Sequence, residues 1–214
     1  MDNKELQKLR QDYSRHELDE NSVSSNPFEL FGSWMREALN AEVPEPNAMV
    51  MASIDAHNIP QSRVVLLKGF DENGFVFYTN YESDKGREIE VNPNVSLCFL
   101  WLELERQVRI VGKASMISRE ESEEYFKSRP HASQVGAHAS RQSRVVESRK
   151  VLEDRFEGLM SRFEEGEVPL PDNWGGYNVE PHTIEFWQGR PSRLHDRLLY
   201  VKESDGWDIK RLEP

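Results

Sequence analysis

Cysteine is nearly absent from this chain of 214 residues: there is one, Cys98, so no disulfide forms within it. The thiol sits in the apolar run VSLCFLW, where cysteine behaves as a small buried hydrophobe, and the setting this implies is reducing. Long apolar runs are absent too. No stretch approaches the ~18 residues of a membrane span, and the opening MDNKELQKLR has no apolar leader-like core, so the expected location is the cytoplasm. Positive charge is also short, with 27 Lys and Arg against 38 Asp and Glu for a formal net charge of -11. That balance argues against nucleic acid and against an anionic membrane surface as partners. It leaves room for a small anionic ligand, which needs only a local group of cations. Missing as well are GxGxxG and Walker loops, HExxH or CxxC spacing and a Ser nucleophile elbow, so no metal site is expected.

What the chain does have is aromatic mass, with ten Phe, five Trp and six Tyr, enough for a core. Residues 1–25 are polar and read as an N-terminal arm, followed by one domain over 26–214. Asn26 and Pro27 form a helix start, and Leu30, Phe31, Trp34, Met35 and Ala38 recur at helical spacing to about residue 41. AMVMASID, SRVVLLKGF and GFVFYTN read as consecutive antiparallel strands, and SDKGREIEVNP as a short helix capped by Ser83. Two long strands follow, VSLCFLWLEL and RQVRIVGKASMI. Ser118 and Glu121 begin a helix that stops at Pro130, and Leu152 to Phe163 mark another that stops at Gly166. VPLPDNWGGY reads as turns, with three strands after it near 181–188, 196–202 and 206–212. The expected fold class is α+β, an antiparallel barrel with peripheral helices.

Three segments carry candidate chemistry. In IEFWQGRPSRLHDR, an extended backbone would put Arg193, His195 and Arg197 on one face by strand alternation; a solvated edge face accounts for that spacing equally well. In YFKSRPHASQ, Tyr125 and Arg129 are four apart on a helix with Ser133 just beyond, a set suited to a phosphate monoester or simply to a surface helix end. In SRVVLLKGF, Arg63 and Lys68 sit in an apolar strand, on opposite faces by parity unless a bulge intervenes. Lys85 lies in a first helical turn, where anions are favoured. Trp187 reads as a core or interface residue more than as a stacking platform.

These segments, with RVVLLK, FYTN, ERQVRIVGK, YFxSRPxxSQ, EVPLPxxWGGY, IEFWQGxxxRLHDR and a terminal LEP, resemble the pyridoxine/pyridoxamine 5'-phosphate oxidase family over about residues 10–214. The resemblance implies an FMN-binding split β-barrel, homodimeric, with FMN at the subunit interface. It implies oxidation of pyridoxine 5'-phosphate or pyridoxamine 5'-phosphate to pyridoxal 5'-phosphate, with hydride passing from C4' to flavin N5 and O2 reoxidising the flavin to give H2O2. It assigns FMN contacts to Arg63, Val64, Val65, Leu66, Leu67 and Lys68, and further ones to Tyr78, Thr79, Lys85, Gln107, Gln142, Ser143, Trp187 and Arg197. The substrate's phosphate falls to Lys68, Tyr125, Arg129 and Ser133, and its ring to Arg193 and His195 as the catalytic pair. Arg10 and Tyr13 would close over it from the arm. Asp84 departs from the pattern, standing where the family commonly has Arg, and is expected to point to solvent. Two alternatives stay open: another split-barrel flavin reductase or oxidoreductase, which would lack the RLHDR and YFxSRP anchors, and a non-catalytic FMN- or pyridoxal-phosphate-binding protein.

Overall fold

The computed structural model describes residue 7 and residues 12–164 and 166–214. Arg10, assigned above to the substrate, lies outside the described residues. Helix α1 (Pro27–Asn40) starts where the sequence places it: the Asn26 side chain accepts from the Phe28 N–H at 2.9 Å and Pro27 fills the first turn. Its apolar stripe buries Phe28, Phe31, Trp34, Met35 and Ala38, and large side chains of this kind each contribute about 1.5–3 kcal/mol.

Four strands follow, β1 (Ala48–Ile54), β2 (Pro60–Leu66), β3 (Gly69–Asp71) and β4 (Gly74–Asn80), then helix α2 (Asp84–Val91). Strands β5 (Asn94–Trp101) and β6 (Arg106–Met116) come next, then helices α3 (Arg119–Ser128), α4 (His131–Ala139) and α5 (Arg149–Arg162). The chain ends in β7 (Trp174–Gln188), β8 (Asp196–Glu203) and β9 (Gly206–Arg211). The strands form an antiparallel sheet, not a closed barrel, in the order β2-β1-β5-β6-β7-β4-β3, with β8 pairing to β7 and β9 to β8. β2 therefore lies at an end of that order. Among the described residues no helix is long and apolar enough to cross a membrane.

The chain divides into two compact units. The first holds residues up to Val50, Leu97–Val111 and Pro181–Pro214; the second holds Met51–Ser96 and Gly112–Glu180. In the first, Phe31 packs edge-on to Phe99 and Trp34 to Phe186, both at 5.2 Å, and Phe186 meets Tyr200 at 5.5 Å. The end of the polar arm is anchored here. Leu18 is buried and donates its N–H to Asp196, and the Ser14 and Arg15 N–H groups reach the Glu105 carboxylate. In the second unit, Phe126, Val135, Val168 and Trp174 form a cluster beneath α3 to α5.

Several expectations need correction. SRVVLLKGF is not one strand: pairing stops at Leu66 and resumes at Gly69, which resets the side-chain alternation. VSLCFLWLEL overruns, because Leu102–Leu104 wind into a 3₁₀ turn and Glu105 takes a positive φ of 55°. Beyond the stop at Pro130 the chain begins a further helix, α4 over residues 131–139, with Pro130 as its cap residue. WGGY is strand, not turn. Gly175 and Gly176 stand where a Cβ would meet the Tyr81 hydroxyl and the Tyr78 ring, so the glycines allow close approach within a pleated run. Cys98 is half-buried rather than core, and burial pushes its thiol pKa up.

Candidate functional site

The second unit holds a cavity of about 810 Å³, near the top of the usual range of roughly 300–1,000 Å³ for small-molecule pockets. Strand β2 and the segment after it supply Arg63, Val64, Val65, Leu66 and Lys68, strand β4 supplies Tyr78 and Thr79, and α2 supplies Lys85. Arg63 and Lys68 line one cavity, against the opposite-face expectation: Val64 and Leu66, of Lys68's parity, line it as well, so the cavity takes residues from both faces at the end of β2. Tyr125, Arg129 and Ser133 come from the α3–α4 corner, with Gln142 beyond it. The corner is shaped by α4: Ser133 lies in its first turn and donates its N–H to the Pro130 carbonyl at 2.8 Å.

Two groups of cations face this space. In the first, the amide oxygen of Gln142 accepts from the Thr79 hydroxyl at 3.0 Å and from Lys85 Nζ at 3.4 Å. Lys85 is buried, and burial, followed by repulsion from Arg63, holds its pKa below the usual lysine range. Arg63 forms a 2.7 Å ion pair with Glu88 and a hydrogen bond to Ser53. The second group rests on stacked rings. Tyr78 and Tyr125 are 3.8 Å apart and nearly parallel, Tyr78 stacks on Trp174 at 5.5 Å, and the Arg129 guanidinium lies 4.6 Å over Trp174. Desolvation lowers the pKa of Arg129, and its buried Nη1 has no hydrogen-bond partner. A buried guanidinium nitrogen without an acceptor costs about 1–3 kcal/mol, which an incoming anion recovers.

The other assigned residues lie elsewhere. Leu67 is buried and is not among the residues lining the cavity. Ser143 has a positive φ of 68° and lines a neighbouring exposed recess with Arg141 and Arg144. In the first unit, Gln107, Trp187 and Tyr13 line a smaller recess of about 190 Å³. Trp187 lies 4.6 Å from the His195 ring and 5.8 Å, edge-on, from Tyr13. The Arg190 N–H donates to His195 Nδ1 at 3.1 Å, which fixes that nitrogen as an acceptor. Burial and the Arg193 charge lower the His195 pKa.

The extended backbone that would align Arg193, His195 and Arg197 is not what forms. Pro191–Arg193 form a tight turn in which Ser192 and Arg193 take positive φ of 58° and 64°, and of the three only Arg197 belongs to a strand. Arg197 Nε instead pairs with Glu185 at 2.8 Å, and Glu185 also meets Arg109 at 3.2 Å. Sequence reasoning missed Glu185 and Glu88. Glu185 is an acidic residue in a largely apolar stretch of strand, the same signal that singled out Arg63, whereas Glu88 sits in a polar helix that carries no such signal. Asp84 is exposed, as expected.

Fold and cavity together define an α+β protein whose cavity is lined by Arg63, Lys68, Lys85 and Arg129, cations of the kind that suit a small anionic molecule. Residues 35–161 match the family described as "Pyridoxamine 5'-phosphate oxidase", and residues 174–214 match the "Pyridoxine 5'-phosphate oxidase C-terminal dimerisation region". The chain is 55% identical over 212 residues to a pyridoxine/pyridoxamine 5'-phosphate oxidase of Burkholderia thailandensis, covering 98% of this chain and 99% of that one. Its Burkholderia mallei counterpart matches to the same extent. Among solved structures, PhzG from Burkholderia lata 383, in complex with tetrahydrophenazine-1-carboxylic acid, superposes with a TM-score of 0.88 at 30% identity, covering 94% of this chain and all of that one. An FMN-binding protein from Nostoc punctiforme shares the fold, with a TM-score of 0.70 at 15% identity and coverage of 90% and 100%. The chain belongs to the pyridoxine/pyridoxamine 5'-phosphate oxidase family.

Proposed function

We propose that the protein is a cytoplasmic FMN-dependent oxidase that converts pyridoxine 5'-phosphate or pyridoxamine 5'-phosphate to pyridoxal 5'-phosphate, acting as a homodimer. The observation that carries this reading is the pair of cation groups on one cavity, one of which holds an orphaned guanidinium nitrogen. The two groups suit two phosphates, each of about -1.5 to -2 charge at neutral pH. Arg63, Lys85, Thr79 and Gln142 would hold the FMN phosphate, with the β2 edge offering backbone groups to the flavin. Lys68, Tyr125, Arg129 and Ser133 would hold the substrate phosphate.

FMN, when bound, supplies the two-electron acceptor that no side chain provides, with O2 as the final oxidant. The chain's own task is orientation. A phosphate fixed by Arg129 and its neighbours provides remote binding energy that holds the substrate carbon in a reactive position. Arg193 and a neutral His195, with Trp187, Gln107 and Arg197, belong to or adjoin the matched dimerisation region or its recess. In a homodimer they would complete the partner copy's site, with Tyr13 of the arm closing over the ring. Exposed Leu100, Leu102 and Leu194 in that unit fit burial against a second copy.

A second reading comes from the PhzG likeness: a carboxylated ring system as substrate in place of a phosphorylated pyridine. The Tyr125, Arg129, Ser133 and Lys68 set favours the phosphate monoester. The test is anaerobic mixing of FMN-loaded protein with each substrate. Bleaching of the yellow absorbance by pyridoxine or pyridoxamine 5'-phosphate, restored by air, is expected. Bleaching by a tetrahydrophenazine carboxylate alone would transfer the assignment to the second reading, and protein that takes up no FMN would overturn both.

A further inference from the structure

Glu88 takes no part in the lining of the cavity, yet the cavity's cations are organised around it. It lies on α2 three residues after Lys85, so the two share a helix face, and both are buried. Its carboxylate accepts from Arg63 Nη2 at 2.7 Å and from the Ser53 hydroxyl, which in turn accepts from Arg63 Nη1. Ser53 is 2% exposed and the Glu88 side chain 8%, whereas the Arg63 side chain retains 21%. The guanidinium is thus gripped from the protein side by two fixed acceptors while its other edge stays open to the cavity.

Arg63 springs from β2, which ends the sheet order and is half-exposed along its length. Without Glu88 its long side chain would be free to turn to water, and ordering such a side chain costs about 1.5–2 kcal/mol. Repulsion from Lys85 would push it the same way. Two opposing effects therefore meet at Glu88: its charge repels a phosphate, and its grip holds a phosphate donor in place. The carboxylate touches Arg63 directly and is screened from the cavity by it, so the grip outweighs the repulsion.

We propose that Glu88, with Ser53, is a positioning residue that preorganises Arg63 for the phosphate of the flavin cofactor. This rests on the FMN reading above. The experiment compares FMN with riboflavin, which lacks the phosphate, by quenching of flavin fluorescence on titration with apoprotein. Wild type should prefer FMN strongly. Glu88→Met fills the same volume with no acceptor and should cut that preference roughly tenfold, with riboflavin affinity held within about twofold. Glu88→Gln keeps an acceptor and should restore the preference to within about threefold of wild type. Should the Met variant not fold, Glu88→Ala admits water beside Arg63 and reports the same ratio.

A tighter grip on FMN in both the Met (or Ala) and Gln variants would show that the charge matters and the grip does not, overturning the proposal. So would equal losses for FMN and riboflavin, or no change in either. Wild type that binds FMN no better than riboflavin removes the cofactor reading itself and this inference with it, whereas a selective wild type and equally selective variants remove this inference alone.

Discussion

Arg63 apart, which pairs with Glu88, the cavity cations Arg129 and Lys85 of the second unit contrast with the arginines of the first. In the first, Arg197 and Arg109 both end on Glu185, Arg106 on Glu37 and Arg211 on Asp196 and Glu20, so charge is neutralised within the protein. In the second, Arg129 lies over an aromatic ring with a buried nitrogen unsatisfied, and Lys85 meets a neutral amide oxygen. The first arrangement holds strands together. The second leaves attraction unspent, and the acidic surplus of the whole chain hides it. A count of charges describes the exterior, while binding depends on which cations the fold keeps from their counter-ions.

The contrast predicts that equivalent deletions act on different properties. Arg129→Met should weaken binding of the phosphorylated substrate by about 2–3 kcal/mol, a rise in KM of roughly 30- to 150-fold, with FMN affinity retained. Its stability should stay within about 1 kcal/mol of wild type. The lost cation–π contact, about 0.5–1 kcal/mol, is offset by removing an unsatisfied buried donor. Steady-state kinetics and chemical denaturation on one preparation check both halves. A variant with normal KM and a large loss of stability would make Arg129 structural and erase the contrast.

Glu185→Ala should do the reverse. It strands two guanidiniums on a carboxylate whose side chain is 9% exposed, and breaking such a pair costs about 3–5 kcal/mol when fully buried. Arg109 is nearly half-exposed and can turn to water, so about 2–3 kcal/mol is expected, read from the denaturation midpoint. Substrate KM should move far less than in Arg129→Met.

How far the sequence revealed this contrast depends on the range of the interactions. Caps and periodic stripes are local, so α1 with Asn26 and Pro27, α2 with Ser83 and the Ser118–Glu121 box of α3 could be read directly. The strand break after Leu66 could not, because it marks where the chain passes from pairing with β1 to pairing with β4, which side-chain alternation does not encode. Nor could the strand at Gly175 and Gly176, where turn-forming residues are used for close packing. The candidate residues of the cavity were legible chiefly through resemblance to a family, since Tyr125 and Arg129 at helical spacing fit a surface helix end equally well. Glu88, which holds the cavity's Arg63, and Glu185, which holds Arg197 and Arg109 in the first unit, escaped notice because a buried carboxylate acquires meaning only beside the arginine it holds.

His195 tests whether the first unit, too, keeps something in reserve. Its pKa is lowered first by burial and second by Arg193, against a smaller opposing pull from Asp196. A folded-state pKa below the unfolded value means that the neutral ring favours the fold above about pH 6.5, the ordinary histidine value, and that this contribution fades as pH falls below it. Arg193→Leu should bring the His195 midpoint up towards that value without reaching it, because burial remains. An NMR titration of the ring protons checks this, and a midpoint that stays put or falls would show that the Arg193 charge does not act on the ring. In the same variant, turnover of the phosphorylated substrate should drop, since Arg193 is proposed to orient its ring; normal turnover and normal KM together would remove that role.

The smallest effect is expected at Asp84, where an acidic residue precedes the buried Lys85. Asp84 is exposed in the first turn of α2, a position where a negative charge suits the helix dipole by about 0.3–1 kcal/mol. It does not line the cavity, but its charge raises the Lys85 pKa slightly and would oppose a phosphate bound at that helix start. In Asp84→Arg the lost dipole interaction and the gained phosphate attraction have opposite signs and similar size, and solvent screens both. FMN affinity should therefore stay level or tighten by no more than about threefold, with the gain shrinking as salt is raised from low to physiological ionic strength. Fluorescence titration at two salt concentrations reads this directly. A large loss of FMN affinity would place Asp84 among the groups that hold the cofactor, a second carboxylate beside Glu88 set against the cavity's cations.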